Sequence, residues 1–315
     1  MPQKPEIAVI AGAVVEAPDT LARLKSRFTV HEMYEAGSYD AEAAKRCKAV
    51  ATSGGVGATA ETYEAFPNAG LFASFGVGYD SVDVAEAKRR GVRVTNTPGV
   101  LTDEVADLAL ALALAVSRDL VVGDAWVRAG DWEKRGNLPL ARKLSGRPAG
   151  ILGLGGIGKA IAKRCEAFSM EVAWHGPRAK PDQPWPYHDS LVDLAERSEV
   201  LFVACPGGAA TRHLVNAEVL KALGPDGILV NIARGSVVDE AALVEALGAG
   251  TIAGAGLDVF EEEPKVPEAL RQNPRAVLQP HVGSATLETR RAMGLLVAEN
   301  LEAWFEGKAL VTPVA

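Results

Sequence analysis

The chain has 315 residues, 48% of them hydrophobic and 23% charged, with 32 Gly, 18 Pro and 3 Cys, which excludes disordered, collagenous and disulfide-stapled classes. At roughly 150 residues per domain the length predicts about two domains, each able to bury its own core. Lys and Arg total 33 against 40 acidic residues, a net charge of −7, and no basic block interrupts that balance, so a small-molecule partner is expected and a nucleic acid is not.

The first twelve residues carry one Lys before a short β-like run, and the most apolar later stretch, 105–116, is too short to span a bilayer. A cytoplasmic protein without a membrane partner is the expectation. Apolar or β-branched runs recur at 6–11, 28–31, 48–52, 71–75 and 92–95, with candidate helices between them. Such alternation builds βαβ units and a parallel sheet. The turn cluster Asn96-Thr97-Pro98-Gly99 precedes a helix opening near Thr102, with Asp103 and Glu104 in its first turn. A domain boundary fits there.

A second series follows at 148–152, 170–174, 199–204, 227–232, 252–259 and 276–279, enough for a full doubly wound sheet. Beyond His281, a helical stripe of Leu287, Met293, Leu296, Val297, Leu301 and Trp304 is too short to be a domain and is expected to return to the N-terminal half. The predicted fold is α/β, with two Rossmann-like doubly wound parallel-sheet domains. Residues 1–98 plus 287–315 form a discontinuous substrate-binding domain, and 99–286 a nucleotide-binding one. The stretch 105–116 is apolar nearly all round, with Leu108, Leu110, Leu112 and Leu114 on opposing faces. One domain surface is not expected to cover it, which predicts a homodimer.

Gly153-Leu154-Gly155-Gly156-Ile157-Gly158 places G-x-G-x-x-G between an apolar strand and an amphipathic helix. In that context Gly153 serves the tight turn, Gly155 the approach of a pyrophosphate and Gly158 close helix–strand packing, while the helix N-terminus offers N–H groups to the anion. About twenty residues on, a carboxylate would mark a free ribose 2′-hydroxyl. Here the strand ends in His175-Gly176-Pro177-Arg178, with Lys180 beyond. Arg178, assisted by His175 or backbone N–H groups, suits a 2′-phosphate, so NADP(H) is preferred and NAD(H) is possible.

Three later strand ends each carry a polar residue: Arg234 after Ile232-Ala233, a glutamate among Glu261, Glu262 and Glu263 before Pro264, and His281. Arginine can hold an α-keto acid's carboxylate and polarise its keto oxygen, a protonated histidine can deliver the proton, and a glutamate beside the ring would orient it and favour its cationic form. Residue type does not choose among the three glutamates. Cys47, Cys165 and Cys205 and the five histidines lack metal-ligand spacing, so no metal is expected.

These segments together resemble the D-isomer-specific 2-hydroxyacid dehydrogenase family. The resemblance rests on Phe75-Gly76-Val77-Gly78-Tyr79-Asp80, the glycine fingerprint, Asn231-Ile232-Ala233-Arg234-Gly235 with Val238-Asp239-Glu240, Gly256-Leu257-Asp258-Val259-Phe260 and Pro280-His281-Val282-Gly283-Ser284. It implies catalytic roles for Arg234, Glu263 and His281. It further implies substrate contacts from Val77 and Gly78, which would make the active site an interdomain cleft shared with Arg234 and His281. Cofactor contacts are implied for Thr102, Cys205, Pro206, Thr211, Ile232, Ala233, Arg234, Asp258, His281 and Gly283. The Ala204-Cys205-Pro206 segment, the Thr286-Leu287-Glu288-Thr289-Arg290 helix start and the ending Gly307 to Val314 resemble the NADPH-dependent glyoxylate/hydroxypyruvate reductase branch, which includes hydroxyphenylpyruvate reductases. One departure is Pro177, where NADP-using relatives often carry Arg. The implied activity is reduction of glyoxylate or hydroxypyruvate to a D-2-hydroxy acid. Alternatives are another family substrate (hydroxyphenylpyruvate, D-lactate or phosphoglycerate) and a non-enzymatic nucleotide-sensing corepressor.

Overall fold

The computed structural model describes residues 4–35 and 39–314. The chain forms two compact units, Met1–Leu101 with Ser284–Ala315, and Thr102–Gly283; the sequence puts these divisions at 98/99 and 286/287.

The first unit is built on β1 (Glu6–Val9), β2 (Thr29–Glu32), β3 (Ala49–Ser53), β4 (Leu71–Phe75) and β5 (Arg93–Thr95), in the order β2-β1-β3-β4-β5 with every pairing parallel. Strands β3 and β4 are buried at every position, as expected for central strands covered on both faces. The C-terminal helix Leu287–Phe305 returns to this unit, opened by the Thr286 side chain accepting the Thr289 N–H. Three contacts seat it on the Pro18–Arg27 helix and its end. Gly294 meets Thr20 so closely that a Cβ would lie 2.0 Å from the threonine Oγ1. Arg23 grips Glu302 through both carboxylate oxygens at 2.9 and 2.8 Å, and Phe28 meets Phe305 at 5.1 Å.

The second unit holds β6 (Ala149–Leu152), β7 (Val172–His175), β8 (Val200–Val203), β9 (Ile228–Asn231), β10 (Gly254–Leu257) and β11 (Ala276–Leu278), all parallel, in the order β11-β10-β9-β8-β6-β7. Chain order reverses across β6, which has β7 on one side and β8 on the other. The carboxyl ends of β6 and β8 therefore frame a topological switch point, where open α/β sheets bind ligands.

The apolar helix Thr102–Ser117 is covered on one side: Val105, Ala106, Ala109, Leu110, Leu112 and Ala113 are buried, while Leu108 and Leu114 are half-buried. Small residues on β10 make the room, since a Cβ on Gly256 would lie 2.7 Å from Leu112 Cβ and one on Gly254 would lie 2.6 Å from Val116 Cγ1. Each fully buried leucine here contributes about 1.5–3 kcal/mol. Exposed large apolar side chains occur instead on the next segment, at Leu120, Val121, Val127, Trp132 and Leu140. Among the described residues no helix is long and apolar enough to cross a membrane.

Candidate active site

The glycine-rich turn leaves β6 at Leu152 and enters the helix Gly156–Ala167. Gly153 has φ +98°, and a Cβ there would lie 2.6 Å from Cys205 Cα, so the loops after β6 and β8 touch at the switch point. A Cβ on Gly158 would lie 2.1 Å from the Gly153 carbonyl oxygen. Gly155 differs: its φ of −84° suits any residue, and a Cβ there would meet nothing within 4 Å. Two glycines thus answer to the protein's own packing, while the third faces open space at the mouth of a helix that no side chain caps. That combination fits a dinucleotide pyrophosphate, which N–H groups of Gly155, Gly156 and Ile157 could hold. Thr102 Oγ1 lies 3.8 Å from where a Gly156 Cβ would stand. Cys205 is buried and burial pushes its thiol up to about 11. Thr211 Oγ1 donates to the Pro206 and Gly208 carbonyls at 2.8 and 3.2 Å, folding the loop after β8 back on itself.

At the end of β7, His175 Nδ1 donates to the His188 carbonyl at 2.8 Å and its ring lies parallel to Tyr187. The Tyr187 hydroxyl donates to the Gly176 carbonyl at 3.0 Å. Pro177 and Arg178 are exposed, and no acidic residue lies between 172 and 181. Lys180 turns back and donates to the Leu154 carbonyl at 2.7 Å, bringing a cation to the glycine loop. Only the distance across 26 residues in the folded chain reveals that contact.

The ends of β9, β10 and β11 carry the reactive candidates. Asn231 is buried; its Oδ1 accepts the Ala233 N–H at 3.0 Å and its Nδ2 donates to the Arg234 carbonyl at 3.0 Å. This turn carries Ile232 and Ala233, both buried, and presents Arg234, whose Nη1 donates to the Ala233 carbonyl at 2.8 Å. After β10, Asp258 is 2% exposed and organises the turn beyond β11. Its carbonyl accepts the His281 N–H at 2.8 Å, and its carboxylate oxygens accept Val282 N–H at 2.7 Å and Gly283 N–H at 2.8 Å. His281 needs this support, because its φ of +55° is left-handed, a conformation costing about 1–2 kcal/mol for a residue with a Cβ. Burial raises the Asp258 carboxyl above its ordinary value against those two N–H bonds.

His281 Nδ1 donates to Glu263 Oε2 at 2.7 Å, and Glu263 Oε1 accepts the Phe260 N–H at 3.1 Å. Geometry thereby separates the three glutamates: Glu263 meets His281, while Glu261 bonds to Arg212 and His213. Burial pushes the Glu263 carboxyl up, but the hydrogen bond and charge of His281, the Phe260 N–H and the Arg234 charge outweigh it, so the group titrates below its ordinary value. With Nδ1 committed to the carboxylate, Nε2 is the ring nitrogen turned to other partners. A cavity of about 320 Å³, lined by Phe260, Pro264, Val266 and Leu278, adjoins the pair. In the other unit, Gly76 N–H donates to Thr97 Oγ1 at 2.9 Å and Asn96 Nδ2 donates to the Val77 carbonyl at 2.9 Å. These bonds shape the loop after β4 and leave the Val77 and Gly78 N–H groups outside their network.

The structure thus brings Arg234, Asp258, Glu263 and His281 to one end of the second unit's sheet, and the fingerprint glycines with Thr102 and Cys205 to its switch point. Sequence reading missed the Lys180 tether and the hold of Arg212 and His213 on Glu261.

Residues 110–283 match the NAD binding domain of the D-isomer specific 2-hydroxyacid dehydrogenases. The chain is 51% identical to glyoxylate/hydroxypyruvate reductase A of Arabidopsis thaliana over 267 residues, 85% of each chain. It is also 51% identical to hydroxyphenylpyruvate reductase of Plectranthus scutellarioides over 271 residues, 86% of each. The fold is similar to the crystal structure of an NADPH-dependent glyoxylate/hydroxypyruvate reductase from Sinorhizobium meliloti in complex with NADP and malonate. That match has a TM-score of 0.93 and 47% identity, over 99% of this chain and 97% of the other.

Proposed function

This chain belongs to the D-isomer specific 2-hydroxyacid dehydrogenase family, and from that premise we propose that it reduces glyoxylate and hydroxypyruvate to their 2-hydroxy acids with NADPH. The observation that carries the reading is the His281–Glu263 pair, 2.7 Å apart, at the carboxyl ends of the dinucleotide-binding sheet. Steady-state rates with glyoxylate, hydroxypyruvate and hydroxyphenylpyruvate, each with NADPH and NADH, test it. Highest kcat/KM for hydroxyphenylpyruvate, the substrate named in one 51% identical relative, would favour the second reading.

N–H groups of Gly155, Gly156 and Ile157 would hold the pyrophosphate of NADPH, which when bound would supply the hydride for the keto carbon. The Arg234 guanidinium binds the substrate carboxylate and draws electron density from the keto oxygen. His281 gives its Nε2 proton to the keto oxygen as the C=O bond becomes C–OH, leaving the neutral ring to be reprotonated from solvent. Glu263 keeps the ring's Nδ1–H oriented and offsets the positive charge held before transfer. Asp258 holds His281 in its left-handed conformation, which aims the ring.

The NADPH preference rests on the end of β7, where no carboxylate would repel a 2′-phosphate and Arg178 is exposed. His175 contributes at most through Nε2, since its Nδ1 is engaged. A charged hydrogen bond is worth about 1.5–3 kcal/mol, so Arg178→Ala should weaken NADPH binding roughly 10- to 150-fold and leave NADH almost unchanged. Paired fluorescence titrations read this directly. Equal losses for both cofactors would remove Arg178 from 2′-phosphate recognition.

We also infer a homodimer, from the exposed apolar residues Leu120, Val121, Val127, Trp132 and Leu140 that follow the half-buried Leu108 and Leu114. Light scattering at micromolar concentration should give twice the chain mass, and Leu120→Lys with Val127→Lys should halve it. A wild-type monomer mass would overturn the assignment. Three buried free thiols, Cys47, Cys165 and Cys205, suit the reducing cytoplasm to which we assign the protein.

A further inference from the structure

Two residues before Glu263 in the chain, Glu261 points to a different set of partners. Its Oε1 accepts from Arg212 Nη2 at 2.6 Å and lies 2.8 Å from His213 Nε2. Its backbone N–H donates to Glu240 Oε2 at 3.2 Å, at the start of the Glu240–Ala249 helix. The peptide before it is seated on Gly235, the residue after Arg234: a Cβ there would lie 1.9 Å from the Phe260 carbonyl carbon and 2.3 Å from Glu261 N. The segment bearing Arg212 and His213 is stitched to the same turn. His213 N–H donates to the Ser236 carbonyl at 2.9 Å, Val215 N–H to Val237 at 3.0 Å, and Asp239 N–H to Val215 at 2.9 Å. Three parts of the unit therefore converge on Glu261: the loop after β8, the turn after Arg234 and the helix that begins at Glu240.

Beyond Glu261 the turn runs through exposed residues, Glu262 to Lys265, and the Glu263 carboxylate reaches His281 from this stretch. Its other carboxylate oxygen accepts the Phe260 N–H at 3.1 Å, at the end of the turn that Glu261 anchors. We propose that Arg212 and His213 are positioning residues for proton transfer: by anchoring Glu261 they fix the Phe260–Glu263 turn and set the Glu263 carboxylate against His281. Because Gly235 packs on the same peptide, the clamp also ties the placement of Arg234 to that of the His281–Glu263 pair. Partly exposed ion pairs of this kind add little to stability, whereas a displacement of about 1 Å at a reacting group costs roughly 10²-fold in rate. The clamp should therefore be felt in turnover far more than in unfolding.

The proposal rests on the assignment of Glu263 and His281 as the proton-transfer pair, and a double-mutant cycle in the full-length enzyme separates the two. Arg212→Ala with His213→Ala should lower kcat for glyoxylate roughly 10- to 100-fold, with the NADPH dissociation constant and thermal midpoint close to wild type. His213→Gln, which keeps a donor for Glu261, should recover most of that loss when Arg212 is intact. In a Glu263→Gln background the same two alanines should cost less than about twofold, since a carboxylate already removed cannot be displaced. If Glu263→Gln lowers kcat and the losses multiply, the pair stands and the positioning role is overturned. If Glu263→Gln leaves kcat unchanged, the proton-transfer assignment itself fails.

Discussion

His281→Asn should lower keto-acid reduction roughly 10²- to 10⁴-fold, the range general-acid catalysis contributes, while NADPH still binds. Asparagine keeps a donor near the Nδ1 position and accepts left-handed φ better than most residues, so the φ of +55° at this site does not by itself unfold the turn. What it lacks is a titrating proton. Reduction consumes the ring proton, so the wild-type rate should fall towards alkaline pH, whereas oxidation of the hydroxy acid needs the neutral ring and should rise there. Glu263 does not set this alkaline limb, because its carboxyl titrates below its ordinary value and is already ionised.

The His281 hydrogen bond and charge help hold Glu263 below its ordinary value, and Glu263→Gln, which removes the carboxylate that orients the ring, should lower kcat for keto-acid reduction. Glu263's own contribution to stability is complete above the ordinary carboxylate range and is lost as pH falls through its lowered pKa. The measurement is a set of pH–kcat profiles in both directions for wild type, His281→Asn and Glu263→Gln. Near-wild-type turnover in His281→Asn, or an alkaline limb that survives in it unchanged, would remove His281 as the donor.

Gly155→Val should weaken NADPH and NADH together by roughly 100-fold or more without unfolding the protein. Loss of two charged hydrogen bonds to the pyrophosphate accounts for that size. The fold should tolerate valine because the φ of −84° is unstrained and a Cβ there meets no protein atom within 4 Å. Gly158→Ala is the opposite case. Its Cβ would lie 2.1 Å from the Gly153 carbonyl oxygen, so the strand-to-helix turn must shift and stability should fall along with cofactor binding. Thermal unfolding of the two variants without cofactor, beside titrations with both dinucleotides, separates a ligand's space from the protein's own packing. An unchanged dissociation constant in Gly155→Val would show that the pyrophosphate lies elsewhere.

Local pattern alone determined the parallel-sheet architecture. Each of the eleven expected runs overlaps a strand, and the helix 287–305 lies where its apolar stripe places it, because period and punctuation are written in neighbouring residues. The ends were less legible: the apolar run 252–259 pairs only over Gly254–Leu257, since pairing stops where the neighbouring strands stop. The spacing of the fingerprint already gives each glycine a different expected role, and the fold adds the distances: Gly153 and Gly158 press against backbone and Gly155 faces open space. Glu261, Glu262 and Glu263 share one residue type, and a carboxylate's role follows from its partner across space. Gly254 and Gly256 let the helix Thr102–Ser117 settle on β10, which no periodicity within that helix could reveal. Composition and spacing record what each segment can bury or bind; which segment meets it, and at what distance, is decided by close packing among residues far apart in the chain.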